Sequence, residues 1–351
     1  MNMVHYLKEV GRGKRGARDL TYEEATVCAE MILSGISTPA QTGAFLASER
    51  LKIESADELK AFVEVCRNHA DRSYKHGGID FAGPYDGRKQ SFYASLATAF
   101  VVAAAGVKVT LHGSEPIPPK WGVTYPQLLK SLGIDTKLIS DENLLNAAKE
   151  SGVRFAPPER YGGKLHKIRP LREEMGLRTI FNTAEKLIDY SHSPYLVLGI
   201  FHNTVFHKTA KVLTDLNYRR SMIIQGSEGS EDLHIHRPTR TYLIEHGETA
   251  LHVLDPEMYG IDSYVPEVEW TQAKQAEVTL DVLQGNGLMP FTNQVLFNAG
   301  VRLFVAEHAG SIEEGIYISK SLLESRAAWR AYQLFHSNMT TRLEPEEALM
   351  E

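Results

Sequence analysis

The sequence has almost no cysteine, no long apolar run and no excess of positive charge. Cys28 and Cys66 are the only cysteines in 351 residues, and each lies inside a helical pattern. No disulfide framework is available to the chain, and buried thiols in a reducing compartment, the cytoplasm, are expected. No apolar run reaches the length of a bilayer span; the longest, near residues 97–107, is Ala-rich and reads as a buried helix. No basic segment followed by an apolar stretch opens the chain, so neither a signal peptide nor membrane association is expected. A net charge of -6 argues against a surface that is one continuous nucleic-acid footprint. It leaves room for local basic faces, and two stand out: Arg12, Lys14, Arg15 and Arg18, and a second run holding Arg154, Arg160, Lys164, Lys167, Arg169, Arg172 and Arg178. Internal repeats and low-complexity segments are also absent.

What is present is an ordinary globular composition, with a length that predicts about two domains. Residues 1–76 read as a helical domain that also receives a later helical segment near residues 168–190. Thr21 with Glu24, Thr38 with Pro39 and Gln41, and Ser55 with Glu58 each set a hydroxyl at a helix N-cap and a Glu or Gln three residues on. Residues 76–78 (HGG) read as a hinge. From Ile79 the pattern becomes strand, glycine loop, helix, strand, which predicts an α/β domain over residues 77–335 with a mostly parallel sheet. Further strands are predicted at residues 136–139, 195–201 and 221–224. Helices are predicted at 204–216, 268–283, 293–307 and 312–332. Residues 156–167 read as a loop, and residues 336–351 as a solvated acidic tail.

In such a sheet ligands gather at the carboxyl ends of strands. The loop after Ala82 runs Gly83-Pro84-Tyr85-Asp86-Gly87 and leads through Arg88 and Lys89 toward a helix. It suits an anion such as phosphate, and equally a tight turn that needs its glycines for backbone reasons. A second loop carries His112, Gly113, three prolines and Lys120, able to bind phosphate or to be plain surface. A third sets Glu231 and Asp232 side by side in a glycine-rich turn, which suits Mg²⁺ or a solvated acidic loop. His234 and His236 would suit a softer metal, but a third ligand is missing. Arg172 could present its planar fork to a carboxylate or phosphate, or lie on a charged helical face.

Taken in order, these segments resemble anthranilate phosphoribosyltransferase. The stretches ATAFVVAAAGVKVTLHG (97–113), MGLRTIFN (175–182), Asp255-Pro256-Glu257-Met258-Tyr259-Gly260 and FNAGVRLFVAEHAGSIEEG carry the resemblance, which runs from about Leu7 to Leu323. Residues 9–20 and Gly87-Arg88-Lys89-Gln90 are similar to a non-classical subgroup, some of whose members look like nucleic-acid binders. The resemblance implies the class III nucleoside phosphorylase and phosphoribosyltransferase fold, with a cleft between the two domains and a homodimer formed through the helical one. It implies phosphoribosyl pyrophosphate, or another phosphorylated small molecule, with Mg²⁺ in that cleft. An aromatic amine would attack the anomeric carbon as pyrophosphate leaves, with catalysis mainly by positioning and charge neutralisation.

Carried over residue by residue, the resemblance makes Gly83, Asp86, Gly87, Arg88, Lys89, Ser95, His112, Gly113 and Lys120 the donor or phosphate site. It makes Arg172 the acceptor-carboxylate residue and Glu231-Asp232 the metal pair. The family's Gly-Thr-Gly-Gly-Asp loop stands here as Ala82-Gly83-Pro84-Tyr85-Asp86, and its Asn-x-Ser-Thr as Tyr93-Ala94-Ser95-Leu96. Its Asn-Arg is Ser114-Glu115, and the run 182–186 (NTAEK) lacks the usual Gly-Pro. Glutamate in place of arginine beside pyrophosphate sets repulsion where attraction is needed. The sequence therefore supports a phosphoribosyltransferase-like protein or, alternatively, a non-catalytic binder of single-stranded nucleic acid using Arg12, Lys14, Arg15, Arg18, Lys164, Lys167 and Arg169. A structural homodimer that keeps only the fold is the blandest reading.

Overall fold

The computed structural model describes residues 2–13 and 15–340, so Lys14 and the tail beyond residue 340 lie outside the described residues. Four helices open the chain: Met3–Val10, Tyr22–Leu33, Pro39–Lys52 and Ala56–His69. The last three start with the expected capping boxes, each hydroxyl accepting from the third helical amide while that residue's side chain accepts from the cap. Their apolar faces close a core around Phe45 and Phe62, which a later segment enters through Phe181 and Leu187. Cys28 and Cys66 are buried free thiols. No helix among the described residues is long and apolar enough to cross a membrane.

The α/β part is built on one seven-stranded sheet: β1 (Ile79–Ala82), β2 (Val109–His112), β3 (Val153–Ala156), β4 (Tyr195–Gly199), β5 (Arg220–Ile224), β6 (Thr239–Glu245) and β7 (Glu248–Leu254). Their order is β3-β2-β1-β4-β5-β6-β7. The first five run parallel and the last two antiparallel, so the sheet is mostly parallel. The Ala94–Ala104 helix packs against the Met289–Val305 and Ala327–Thr340 helices over one face.

Two local expectations give way, and one hairpin comes in addition to the expected elements. Residues 136–139 form a turn leading into the Asp141–Ser151 helix; the strand comes after that helix, as β3, once Gly152 in the left-handed region has ended it. The β6–β7 hairpin turns through His246 and Gly247, with φ of 52° and 79°. Two successive positive φ angles make the tight hairpin turn whose twist matches the strands. The predicted 312–332 helix is two, Ile312–Glu324 and Ala327–Thr340, separated where Arg326 turns left-handed at φ 61°.

The strand order sets the site. From β1 the chain builds outward to β2 and β3, then returns to add β4 on the other side of β1. This reversal opens a crevice at the carboxyl ends of β1 and β4. Gly199 ends β4 hard against the backbone of Ser230 and Glu231: a Cβ there would lie 2.1 Å from the Ser230 carbonyl carbon. Glycine at this position lets the loop after β5 enter the crevice.

Candidate functional site

The loop after β1 is stitched to residues 122–123. Arg88 pairs with Val123 by reciprocal backbone bonds, and Gly87 takes φ 74° where a Cβ would sit 2.4 Å from the Gly122 carbonyl. This turn drives the Arg88 side chain inward, where it is fully buried. Its guanidinium donates to Asp232 at 2.6 Å, Glu231 at 3.3 Å, Ser95 Oγ at 3.0 Å and the Phe92 carbonyl at 2.9 Å, and lies 4.1 Å from the Tyr93 ring centroid. Arg302, buried in the Met289–Val305 helix, approaches from the other side, donating to Asp232 at 3.2 Å and to the Glu231 carbonyl at 3.1 Å. Burial raises the Asp232 pKa, but Arg88 and Arg302 outweigh it and hold the carboxyl below its usual range. Two carboxylates and two guanidiniums thus form a closed, neutral cluster.

Beside it Asp86, also buried, accepts from Arg178 at 2.5 Å and lies 3.3 Å from Lys120 Nζ. Lys120 also donates to the Glu228 carbonyl at 2.9 Å. Burial lowers the Lys120 pKa. The Glu228 carboxylate accepts from the amides of Lys89 and Gln90 and from Ser91 Oγ. The amide donors of this turn, expected to meet phosphate, are therefore met by an internal carboxylate. Tyr85 OH is 2.7 Å from His112 Nδ1, whose Nε2 lies 2.8 Å from Asp80 Oδ1. The second approach is a close contact without an aligned hydrogen bond, since both atoms lack a partner by geometry. A Cβ on Gly113 would press on the Tyr125 ring at 3.2 Å.

Arg172 is buried and makes a two-pronged pair with Glu185 at 2.7 and 2.8 Å. The space beside it, bounded by Tyr85, Ile117, Leu165 and Arg169, is about 30 Å³, a single water's worth. Among the basic residues, Arg12 pairs with Glu9, Arg18 with Glu9 and Glu24, and Arg169 with Glu173. Arg169 also holds the proline loop through the Glu115 and Pro116 carbonyls. Lys164 donates to Ser34 Oγ, while Arg15 and Lys167 are exposed. Acids therefore neutralise Arg12, Arg18 and Arg169 locally.

His234 accepts at Nδ1 from Ser227 Oγ or donates to it at 3.0 Å, and its Nε2 is 3.0 Å from Arg237. Among the described residues no group of His, Cys, Asp and Glu is arranged to hold a metal ion. Burial first, then Arg237 and His236, push the His234 pKa down to about 4, and burial does the same for His76. Between pH 6.5 and 4 the unfolded chain binds protons that the native state refuses, so stability falls as pH falls through that window. Each histidine should cost on the order of 2 kcal/mol by pH 4. Glu49, pushed up to about 8 by burial, works with the opposite sign. Melting temperature against pH should fall less steeply below pH 6.5 for His234→Asn than for the parent; equal slopes would contradict this assignment.

A hard divalent ion needs open carboxylate oxygens and room for water. Both Asp232 oxygens and Glu231 Oε1 are taken up by Arg88, Arg302 and Ser95, leaving only the buried Glu231 Oε2 without a partner. As placed, these residues do not fit Mg²⁺: an arginine fork stands where the cation would. Outside the cluster, a groove of about 980 Å³ runs along Lys89, Phe92, His236, Arg237 and Trp270, with Glu228, Glu267 and Glu269 also on its walls. Phe92 and Trp270 stack at 5.7 Å. Phe92 lies buried beneath Trp270, so Trp270 and His236 are the ring faces that stacked bases could meet, with Lys89 and Arg237 as the groove's two fixed cations. The sequence alone assigns no site role to Arg302, Glu185 or Lys186, yet they organise this region. A lone arginine in the apolar run AGVRLFV is the one signal that points to a paired buried charge.

Comparison with known proteins places these residues in context. The profile of the glycosyl transferase family a/b domain matches residues 80–329, and that of the family's helical bundle domain matches residues 4–70. The anthranilate phosphoribosyltransferase of Thioalkalivibrio sulfidiphilus is 34% identical over 316 residues, 88% of this chain and 92% of that one. That of Desulfitobacterium hafniense strain Y51 is 32% identical over 314 residues, 89% of this chain and 92% of its own. Among solved structures, anthranilate phosphoribosyltransferase from Thermus thermophilus superposes with a TM-score of 0.81 at 23% identity, covering 97% of this chain and all of the other. The Saccharomyces cerevisiae enzyme in complex with PRPP and Mg gives 0.79 at 18% identity, over 96% of this chain and 98% of that one.

Proposed function

The chain belongs to the glycosyl transferase family in its anthranilate phosphoribosyltransferase form, and on that premise we propose that it is a phosphate-ligand binder in which metal-dependent transfer has been displaced. The observation that carries the proposal is Arg88, whose guanidinium is buried between Glu231 and Asp232. With Arg302, this built-in cation neutralises the pair permanently, so the pair has no charge left to offer a metal-bound pyrophosphate. The ligand class is a polyanion, single-stranded nucleic acid, held along the Lys89–Arg237 groove with bases against Trp270 and His236. The helical segment supplies the homodimer contact, and Ile36, Leu51 and Ile53 are the most exposed of its large apolar residues. A reducing cytoplasm suits the two buried thiols.

Sedimentation velocity with a labelled 20-nucleotide oligothymidylate tests both parts together. A dimer carrying the oligonucleotide at 50 mM salt is expected. With two phosphate contacts, from Lys89 and Arg237, affinity should drop roughly 7-fold between 50 and 200 mM salt. Lys89→Ala with Arg237→Ala should weaken it further. No co-sedimentation at 50 mM salt, or a monomer, would remove the corresponding part.

Phosphoribosyl transfer is the second reading, favoured by 34% identity to a named transferase and by the presence of Lys120, Arg172 and the acidic pair. It requires Arg88 to leave the pair and Glu185 to release Arg172. Calorimetric heat from phosphoribosyl pyrophosphate with Mg²⁺ below millimolar ligand would favour it over the binder.

A further inference from the structure

At the carboxyl end of β4, between the sheet and the helical layer, lies a second cavity of about 100 Å³. It is separate from the Arg88 cluster and from the groove. Its wall carries Arg50, Arg178, Lys186 and Lys208 against a single carboxylate, Glu54, which already accepts from Lys208 at 2.7 Å. Arg178 gives one arm to Asp86 at 2.5 Å. Lys186 is 5% exposed, and its ammonium has one acceptor, the Gly199 carbonyl at 2.9 Å.

An ammonium has three donors, and burying it with one acceptor costs free energy that Asp86 and Glu231, acting without an ion-pair contact, offset only in part. The strain is visible in its acidity: burial, with Arg178 adding to it, brings the Lys186 pKa down to about 8. A buried lysine facing a cation-lined cavity is satisfied when an oxyanion enters and accepts the remaining protons. The volume is that of about three waters, which admits one phosphate group and excludes a base or a ring beside it. The position, at the strand-order reversal, is where open α/β sheets take ligands.

We propose that this cavity is a phosphate-monoester site, holding one terminal phosphate between Lys186 and Arg178, with Arg50 and Lys208 at its outer wall. It does not depend on the groove binding nucleic acid. Inorganic phosphate, a sugar phosphate and a 5′-phosphorylated oligonucleotide share this chemistry, and the experiment separates them.

The test is a thermal-shift titration of the full chain at pH 7 with sodium phosphate up to 20 mM, against sodium chloride of equal ionic strength. The parent should show a saturable rise in melting temperature, as expected when a ligand binds only the native state. Lys186→Met should bind phosphate at least tenfold more weakly. It removes a buried charge and should still fold; Arg178→Met is a second variant if it does not. Lys130→Ala, at an exposed lysine outside the cavity's lining, should respond as the parent does. Ribose 5-phosphate and a 5′-phosphorylated dinucleotide run in parallel, and whichever binds tightest names the source. No response of the parent to any of the three, or an equal response of the parent, Lys186→Met and Arg178→Met, overturns the proposal. Failure of oligothymidylate to bind while phosphate still protects would overturn only the groove.

Discussion

Replacing Arg88 by methionine is expected to cost roughly 3–5 kcal/mol of stability, the range for removing one partner of a buried ion pair. The cluster is balanced: Arg88 and Arg302 against Glu231 and Asp232, all fully buried. Without Arg88, Glu231 Oε1 keeps only Ser95, and the pair carries one uncompensated negative charge in a water-poor interior. The melting temperature should fall by on the order of 10 °C. Two further measurements separate charge from lost packing. Adding Glu231→Gln to Arg88→Met restores neutrality, since Asp232 keeps Arg302, and should recover part of the loss despite removing nothing bulky. Mg²⁺ at millimolar concentration should raise the melting temperature of Arg88→Met and leave the parent unchanged, because only the variant exposes carboxylate oxygens to a cation. A parent that responds to Mg²⁺ as strongly as Arg88→Met would show that the arginine does not occupy the place of a metal.

The elements legible from sequence are those with local signals. Thr21, Thr38 and Ser55 announce their helices because a cap is read over four residues. The Gly83–Gly87 turn and the Glu231-Asp232 pair fall at strand ends because period and glycine position survive in one dimension. Residues 136–139 read as a strand and fold as a turn because four residues are too few to carry a period that tells the two apart. The hairpin could have been found from the alternation in TRTYLIE followed by His246-Gly247. What sequence could not supply was partnership. Arg88 and Asp232 are 144 residues apart, and Arg302 lies a further 70 beyond. Arg88 reads as a phosphate ligand in the loop and is a counter-ion in the fold. The same change of meaning applies to Arg172, whose carboxylate comes from 13 residues along its own chain.

Cutting Glu185 back to alanine should cost about as much as the loss of Arg88, roughly 3–5 kcal/mol, because it strands a buried guanidinium. In the parent both arms of Arg172 are held, and burial opposed by Glu185 leaves its pKa raised overall. Replacing both partners, Arg172→Leu with Glu185→Leu, should be near neutral, since a buried pair seldom outweighs its own desolvation. The double-mutant cycle would then give a coupling as large as the two single losses together, roughly 6–10 kcal/mol, with each single variant overestimating what the pair contributes. The cost in Glu185→Ala has a second consequence. A bare, bidentate fork next to enlarged space should accept a foreign carboxylate, and benzoate is the minimal aromatic probe. Benzoate at 10 mM should raise the melting temperature of Glu185→Ala and leave the parent unmoved, where about 30 Å³ is too little room for a ring. Stabilisation of the parent by benzoate would mean that Glu185 yields readily, and that Arg172 is a ligand site in the native chain. Silence of Glu185→Ala toward benzoate, with the stability loss present, would confine the pair to holding the 169–187 segment against the helical core.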